Sequence, residues 1–190
     1  MFTGWIVFAI FAAVVVAFAF YIISVYNSLK SIENKVENAL SQIDVQLQRR
    51  FDLIPNFVET VKGYMNHESE TFTKIAELRT SWANTQNVID KANIDNQLSG
   101  ALKTIMAVSE NYPELKANEN FSNLSEELRN TENKISFSRQ FYNDIVTKYN
   151  DKIELFPSNL VANMFGFKEK DLFKAESEEA RKNVKVDFGN

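Results

Sequence analysis

MFTGWIVFAIFAAVVVAFAFYIISVYNSL, residues Met1–Leu29, contains no charged side chain, and the charged remainder of the chain begins at Lys30. Its core, Trp5 to Val25, is 21 residues made mostly of Val, Ala, Phe and Ile. At about 1.5 Å per residue such a helix spans the ~30 Å hydrocarbon layer of a bilayer. Trp5 stands at one end, and Tyr21 and Tyr26 at the other, where amphipathic rings favour the headgroup zone. Ala17-Phe18-Ala19 has the form of a cleavage site, but a basic leader is missing and the apolar run is longer than that of a secretory signal, so the segment is expected to stay attached. Lys30, Lys35, Arg49 and Arg50 follow the span, while only the α-amino group offers charge before it. The positive-inside rule therefore predicts a single-pass protein of the cell membrane with its bulk in the cytoplasm.

The residues beyond the anchor suffice for one domain with a substantial core. The 190-residue chain has 21 Lys and Arg against 25 Asp and Glu, a formal net charge of −4, and the two signs are interspersed. That distribution gives no electrostatic footprint for nucleic acid. The absence of cysteine removes disulfides, thiolate metal sites and thiol nucleophiles.

Five Gly and three Pro leave little material for turns or sheets, so the fold is predicted to be all-α, with long helices and few breaks. Leu29, Ile32, Val36, Ala39, Ile43, Gln46, Arg50, Leu53 and Phe57 step by threes and fours, which carries the membrane helix on to about Tyr64. Pro55 lies within it, removes one backbone donor and predicts a kink near Phe51. A second helical region runs from Phe72 through Trp82 to Tyr112, with an irregularity expected in the Asn-, Asp- and Gln-rich stretch 83–97. The third helix has the clearest period, Phe121, Leu124, Leu128, Thr131, Ile135, Ser138, Tyr142, Ile145 and Tyr149. Three such helices fold back on one another into an antiparallel, up-down-up bundle. A short helix follows Pro157, with Leu160, Val161, Met164 and Phe165 on one face and Gly166 as its cap. It is read as packing over the open end of the bundle, with a headgroup layer or a partner as the alternative. The expected divisions are an anchor over 1–26, a bundle over 27–167 and a tail over 168–190, where Val184-Lys185-Val186-Asp187-Phe188 alternates with period two.

The chemistry-bearing residues are sparse. His67 is the single histidine, so no histidine pair or Ser-His arrangement can form within one chain. No glycine-rich phosphate cradle and no Glu-x-x-His pair for a di-iron site occurs. Neither a cofactor nor a catalytic or metal-binding residue is therefore assigned. One constellation stands out: Gln46 and Arg50 occupy seam positions of the first helix, and Ser138 and Tyr142 those of the third. If the two helices run parallel and start level, these four residues lie together. They form either a buried polar layer that fixes helix register or a ligand or partner pocket with Arg50 seeking an anion.

The runs VQLQRRFDLIPNFVETVKGY (Val45–Tyr64), SENYPELKANENFSNL (Ser109–Leu124), RNTENKISFSRQFYNDIVTKYN (Arg129–Asn150) and LFPSNLVANMFGF (Leu155–Phe167) resemble the LemA family over nearly the whole chain. The resemblance implies a single-pass bacterial membrane protein with an antiparallel helical bundle, and it carries over no reaction and no catalytic residue. By analogy it implies an adaptor in envelope-associated assemblies. The expectation is thus a non-enzymatic membrane-anchored scaffold that meets the lipid bilayer through its N-terminal helix and another protein, or a second copy of itself, through the bundle. The alternative is a membrane-tethered sensor whose polar layer takes a ligand.

Overall fold

The structure, a computed structural model, describes residues 2–65 and 68–173. Six α-helices account for it: α1 (Phe2–Lys62), α2 (Ser69–Ala83), α3 (Val88–Val108), the single turn α4 (Pro113–Lys116), α5 (Glu119–Glu154) and α6 (Ser158–Phe165). No strand occurs among the described residues. His67 and the alternating stretch Val184–Phe188 lie outside them.

The described residues fall into two compact units, 2–39 with 141–172, and 40–140 with Phe173. In the first, the apolar stretch of α1 is exposed over most of its length, and α1 is the one described helix long and apolar enough to cross a membrane. Burial begins at the end of that stretch. Val25, Leu29, Val36 and Ala39 of α1, Val146, Tyr149 and Ile153 of α5, and Val161 and Ala162 of α6 form the core. Lys152 donates to the Ser28 hydroxyl, tying the last turn of α5 to α1 just past the apolar stretch. After α6 the chain turns back along α5: Asn150 and Lys170 exchange hydrogen bonds of 2.9 and 3.0 Å, and the Tyr142 hydroxyl donates to the Asp171 carbonyl at 3.1 Å.

In the second unit, α1, α2, α3 and α5 alternate in direction. Phe51 stacks on Trp82 at 4.1 Å and Lys62 lies over Phe72, so α2 runs against α1. Lys91 pairs with Asp44 and Arg50 with Asp95, so α3 runs with α1. Phe57 stacks on Phe121, near the start of α5, while Arg50, two turns earlier in α1, reaches Glu132 further along α5, so α5 runs against α1. The core between them is built on Ile54, Phe57, Val61, Ile75, Leu98, Leu102, Ile105, Leu115 and Phe121, with Phe57 and Phe121 stacked at 5.7 Å. Each large apolar side chain buried in this way contributes about 1.5–3 kcal/mol of transfer free energy.

The all-α antiparallel bundle agrees with the sequence reading, and so do the continuity of the anchor into α1 and the short C-terminal helix. Gly166 caps α6 in the left-handed region at φ 73°, which a Cβ would disfavour. Three details differ. The irregularity expected over 83–97 is confined to 84–87, because the Asn87 side chain accepts from the Ile89 and Asp90 amides and starts a new helix at Val88. The second region is therefore a hairpin of two helices, and this extra reversal makes α1 and α5 antiparallel rather than parallel. Finally, α6 does not turn Leu160, Val161, Met164 and Phe165 inward together. Val161 and Ala162 are buried, while Leu160 and Met164, one turn apart, stay exposed.

Candidate functional site

The most polar part of the interior lies in the second unit, where α1, α3 and α5 meet. Arg50 is 2% exposed and Asp95 4%. The Arg50 Nη1 atom is 3.2 Å from Asp95 Oδ2 and its Nη2 3.5 Å from Glu132 Oε2. Arg139 reaches the same Asp95 oxygen at 3.6 Å, and donates to Asn96 Oδ1 at 2.7 Å and to the Ala92 carbonyl at 3.1 Å. Two guanidinium groups thus face two carboxylates, and the half-exposed Glu132 is also met by Lys103 at 3.0 Å. Planar forks suit such shared recognition better than point charges would. A buried cluster of this kind contributes little net stability against an apolar equivalent, but breaking it leaves an uncompensated charge. Around it, Arg79 covers Phe51, Lys91 covers Trp82 and Arg139 covers Phe173, with cation-to-ring distances of 4.7, 4.6 and 5.8 Å.

Beside the cluster, α1 and α5 leave an open groove of about 540 Å³ lined by Gln42, Val45, Gln46, Lys134, Phe137 and Ser138. Its apolar walls face solvent: Phe137 is 72% exposed and Val45 63%. Gln46 lines this groove, and its Oε1 atom is buried with no hydrogen-bond donor from the protein. An unsatisfied buried acceptor is costly, and a donor arriving from outside would relieve it.

The four residues singled out from the sequence are therefore distributed over three places. Arg50 belongs to the charge cluster. Gln46 and Ser138 line the same groove, as antiparallel packing allows. Tyr142 belongs to the first unit, where it bonds to Asp171. Pro55 lies inside α1, which continues unbroken to Lys62. The sequence reading missed Asp95, Glu132 and Arg139. Asp95 keeps the three-and-four spacing of Leu98, Leu102 and Ile105, and Arg139 that of Ile135, Tyr142 and Val146, so the signal was a charged residue standing in an apolar seam.

In the first unit, Lys30 donates to Glu33 at 2.7 Å, and this bond holds the Glu33 carboxyl below the ordinary carboxylate range and raises Lys30. Lys170 adds a second cation at 3.4 Å from Glu33. Burial pushes the phenol of Tyr149 up, and the charge of Glu33 adds to it. Burial likewise raises Tyr142. Among the described residues no group of histidine, aspartate and glutamate side chains is arranged to hold a metal ion.

The sequence profile of the LemA family matches residues 39–188. Protein LemA of Metamycoplasma hominis is 32% identical over 163 residues, covering 83% of this chain and 73% of that protein. Magnetosome protein MamQ 2 of Paramagnetospirillum magneticum is 24% identical over 186 residues, 84% of this chain and 68% of its own length. Magnetosome protein MamQ of Magnetospirillum gryphiswaldense is 21% identical over 184 residues, with 83% and 68% covered. Helical bundle, apolar N-terminal helix and matching profile agree, and the chain belongs to the LemA family of membrane-associated helical proteins.

Proposed function

We propose that this chain is a non-enzymatic, single-pass membrane scaffold or adaptor, anchored by residues 1–26 and presenting the helical domain of 27–167 to a protein partner. Lys30, Lys35 and Arg49 after the span favour a cytoplasmic domain. The observation that carries the partner reading is the α1/α5 groove. Its exposed Val45 and Phe137 flank the buried, unsatisfied Gln46 oxygen, which suits an apolar partner segment bearing one hydrogen-bond donor. The Arg50–Asp95–Arg139 cluster joins α1, α3 and α5 and suits the role of fixing helix register.

A photo-reactive residue placed at Phe137, in cells that keep the protein in its own membrane, tests this reading. The expected result is an adduct to a second protein that is lost with Gln46→Leu, which keeps the volume but removes the acceptor. Labelling of lipid or of nothing at that position would contradict it. The same unsatisfied acceptor favours one other occupant, a small donor-bearing ligand, which makes the protein a sensor. Stabilisation by a compound in a thermal-shift screen, saturating with concentration, selects that second reading.

A further inference from the structure

We propose that α6 and the elbow before it form a second membrane contact, lying in the headgroup layer of the bilayer that α1 crosses. This inference rests on the anchor reading of Trp5–Val25. The chain has a second uncharged stretch, Leu155–Phe167, bounded by Glu154 and Lys168. In the structure it meets the end of the first. The Tyr26 ring packs on Phe165 at 4.8 Å and on Phe167 at 5.7 Å between centroids. Tyr26 is the residue after the span, where aromatic rings mark the membrane–water boundary. Burial on α1 also starts inside the span: Tyr21 and Ile22 are half-buried and Val25 is buried. The protein that covers α1 therefore begins within the last turn of the membrane segment, roughly 6 Å below its end.

At that level α6 and the elbow before it leave large apolar side chains outside. Phe156 is 79% exposed, Leu155 63%, and Leu160 and Met164 59% each, while Val161 and Ala162 on the other side of α6 are buried. A soluble protein rarely leaves so many large apolar side chains within one short stretch open to water. A helix with one buried face, one apolar exposed face and no charge, held at the headgroup boundary, is suited to lie in the interface plane. The exposed Lys168 that ends the stretch is placed to meet lipid phosphates. A protein partner on this patch would itself have to occupy the headgroup layer, so the occupant that needs no further assumption is the bilayer.

The cysteine-free chain permits a direct test. The full chain is reconstituted in phosphatidylcholine vesicles with one nitroxide-labelled site at a time: Phe156→Cys, Met164→Cys, Val15→Cys within the span and the exposed α5 position Thr147→Cys. Collision rates with oxygen, which concentrates in lipid, and with a water-soluble nickel chelate are then compared. The expected ratio of oxygen to nickel at 156 and 164 lies several-fold above that at 147 and on the side of position 15. A ratio equal to that at 147 overturns the proposal. Low accessibility to both agents, with spin–spin broadening at 156 and 164, overturns it in favour of contact between two copies. Position 15 reads the anchor independently, so failure of the span and failure of α6 are distinguishable, and circular dichroism verifies that each labelled chain retains its helix content.

Discussion

Asp95 is the residue on which the interior of the second unit depends most, because one carboxylate faces both Arg50 and Arg139. Asp95→Ala leaves two guanidinium groups in a buried site and should lower stability by about 3–5 kcal/mol, measured by chemical denaturation of the detergent-solubilised chain. Only its spacing from Leu98, Leu102 and Ile105 marks Asp95 as a core residue, and that signal is weak against its surroundings. Its partners Arg50 and Arg139 lie more than forty positions away in sequence, and in isolation a buried Asp inside an Asn- and Asp-rich stretch looks like any exposed one. The same holds at Arg139: a period of threes and fours fits Ser138 almost as well, and only the acid across the interface makes the arginine the buried member. On α1 the seam was likewise read one residue early, at Gln46 and Leu53, where the buried side chains are Leu47 and Ile54. Charge also gives the first unit a pH dependence. The carboxyl of Glu33 is held below its ordinary range by Lys30, so the stabilisation it provides is present above the ordinary glutamate value and is lost as pH falls through the lower, folded one. Thermal melts taken from neutral pH downward should show this loss, and Glu33→Gln should remove that part of the slope.

Helix ends decide the topology. The short break at 84–87 turns one expected helix into α2 and α3, and the Asn87 side chain, accepting at 2.8 Å from Ile89, is what starts the second of them. Asn87→Ala should cost about 1 kcal/mol, and hydrogen exchange should report it as faster exchange in the first turn of α3 with little change in α5. The Asn-, Asp- and Gln-rich composition signalled a weak place, but several of those residues are equally acceptable caps, so the site of the reversal was not fixed by composition. Gly166, by contrast, was legible: it follows an apolar run, and its left-handed φ is the conformation that glycine at a helix C-terminus supplies. The exposure of Leu160 and Met164 was not, because an apolar face on a short helix looks the same whether protein or lipid covers it.

At the scale of the whole molecule, the reading from sequence held where signals were long. An uncharged run of membrane-spanning length and a persistent three-and-four period over α1 and α5 each sum many small preferences, which is why the anchor and the helical bundle were both apparent. The relative direction of α1 and α5 depends on the number of reversals between them, and a single missed turn inverts it. Function lay furthest from view, since the α1/α5 groove exists only once two helices distant in sequence are packed together. The proposed scaffold role requires that the partner be met at the membrane. Cross-linking in native membranes, followed by affinity purification and mass spectrometry, should compare the full chain with one lacking Met1 to Tyr26. The expected result is a reproducible protein partner for the full chain that disappears without the anchor; cross-links to itself alone, or the same partners with and without the anchor, would overturn the scaffold reading.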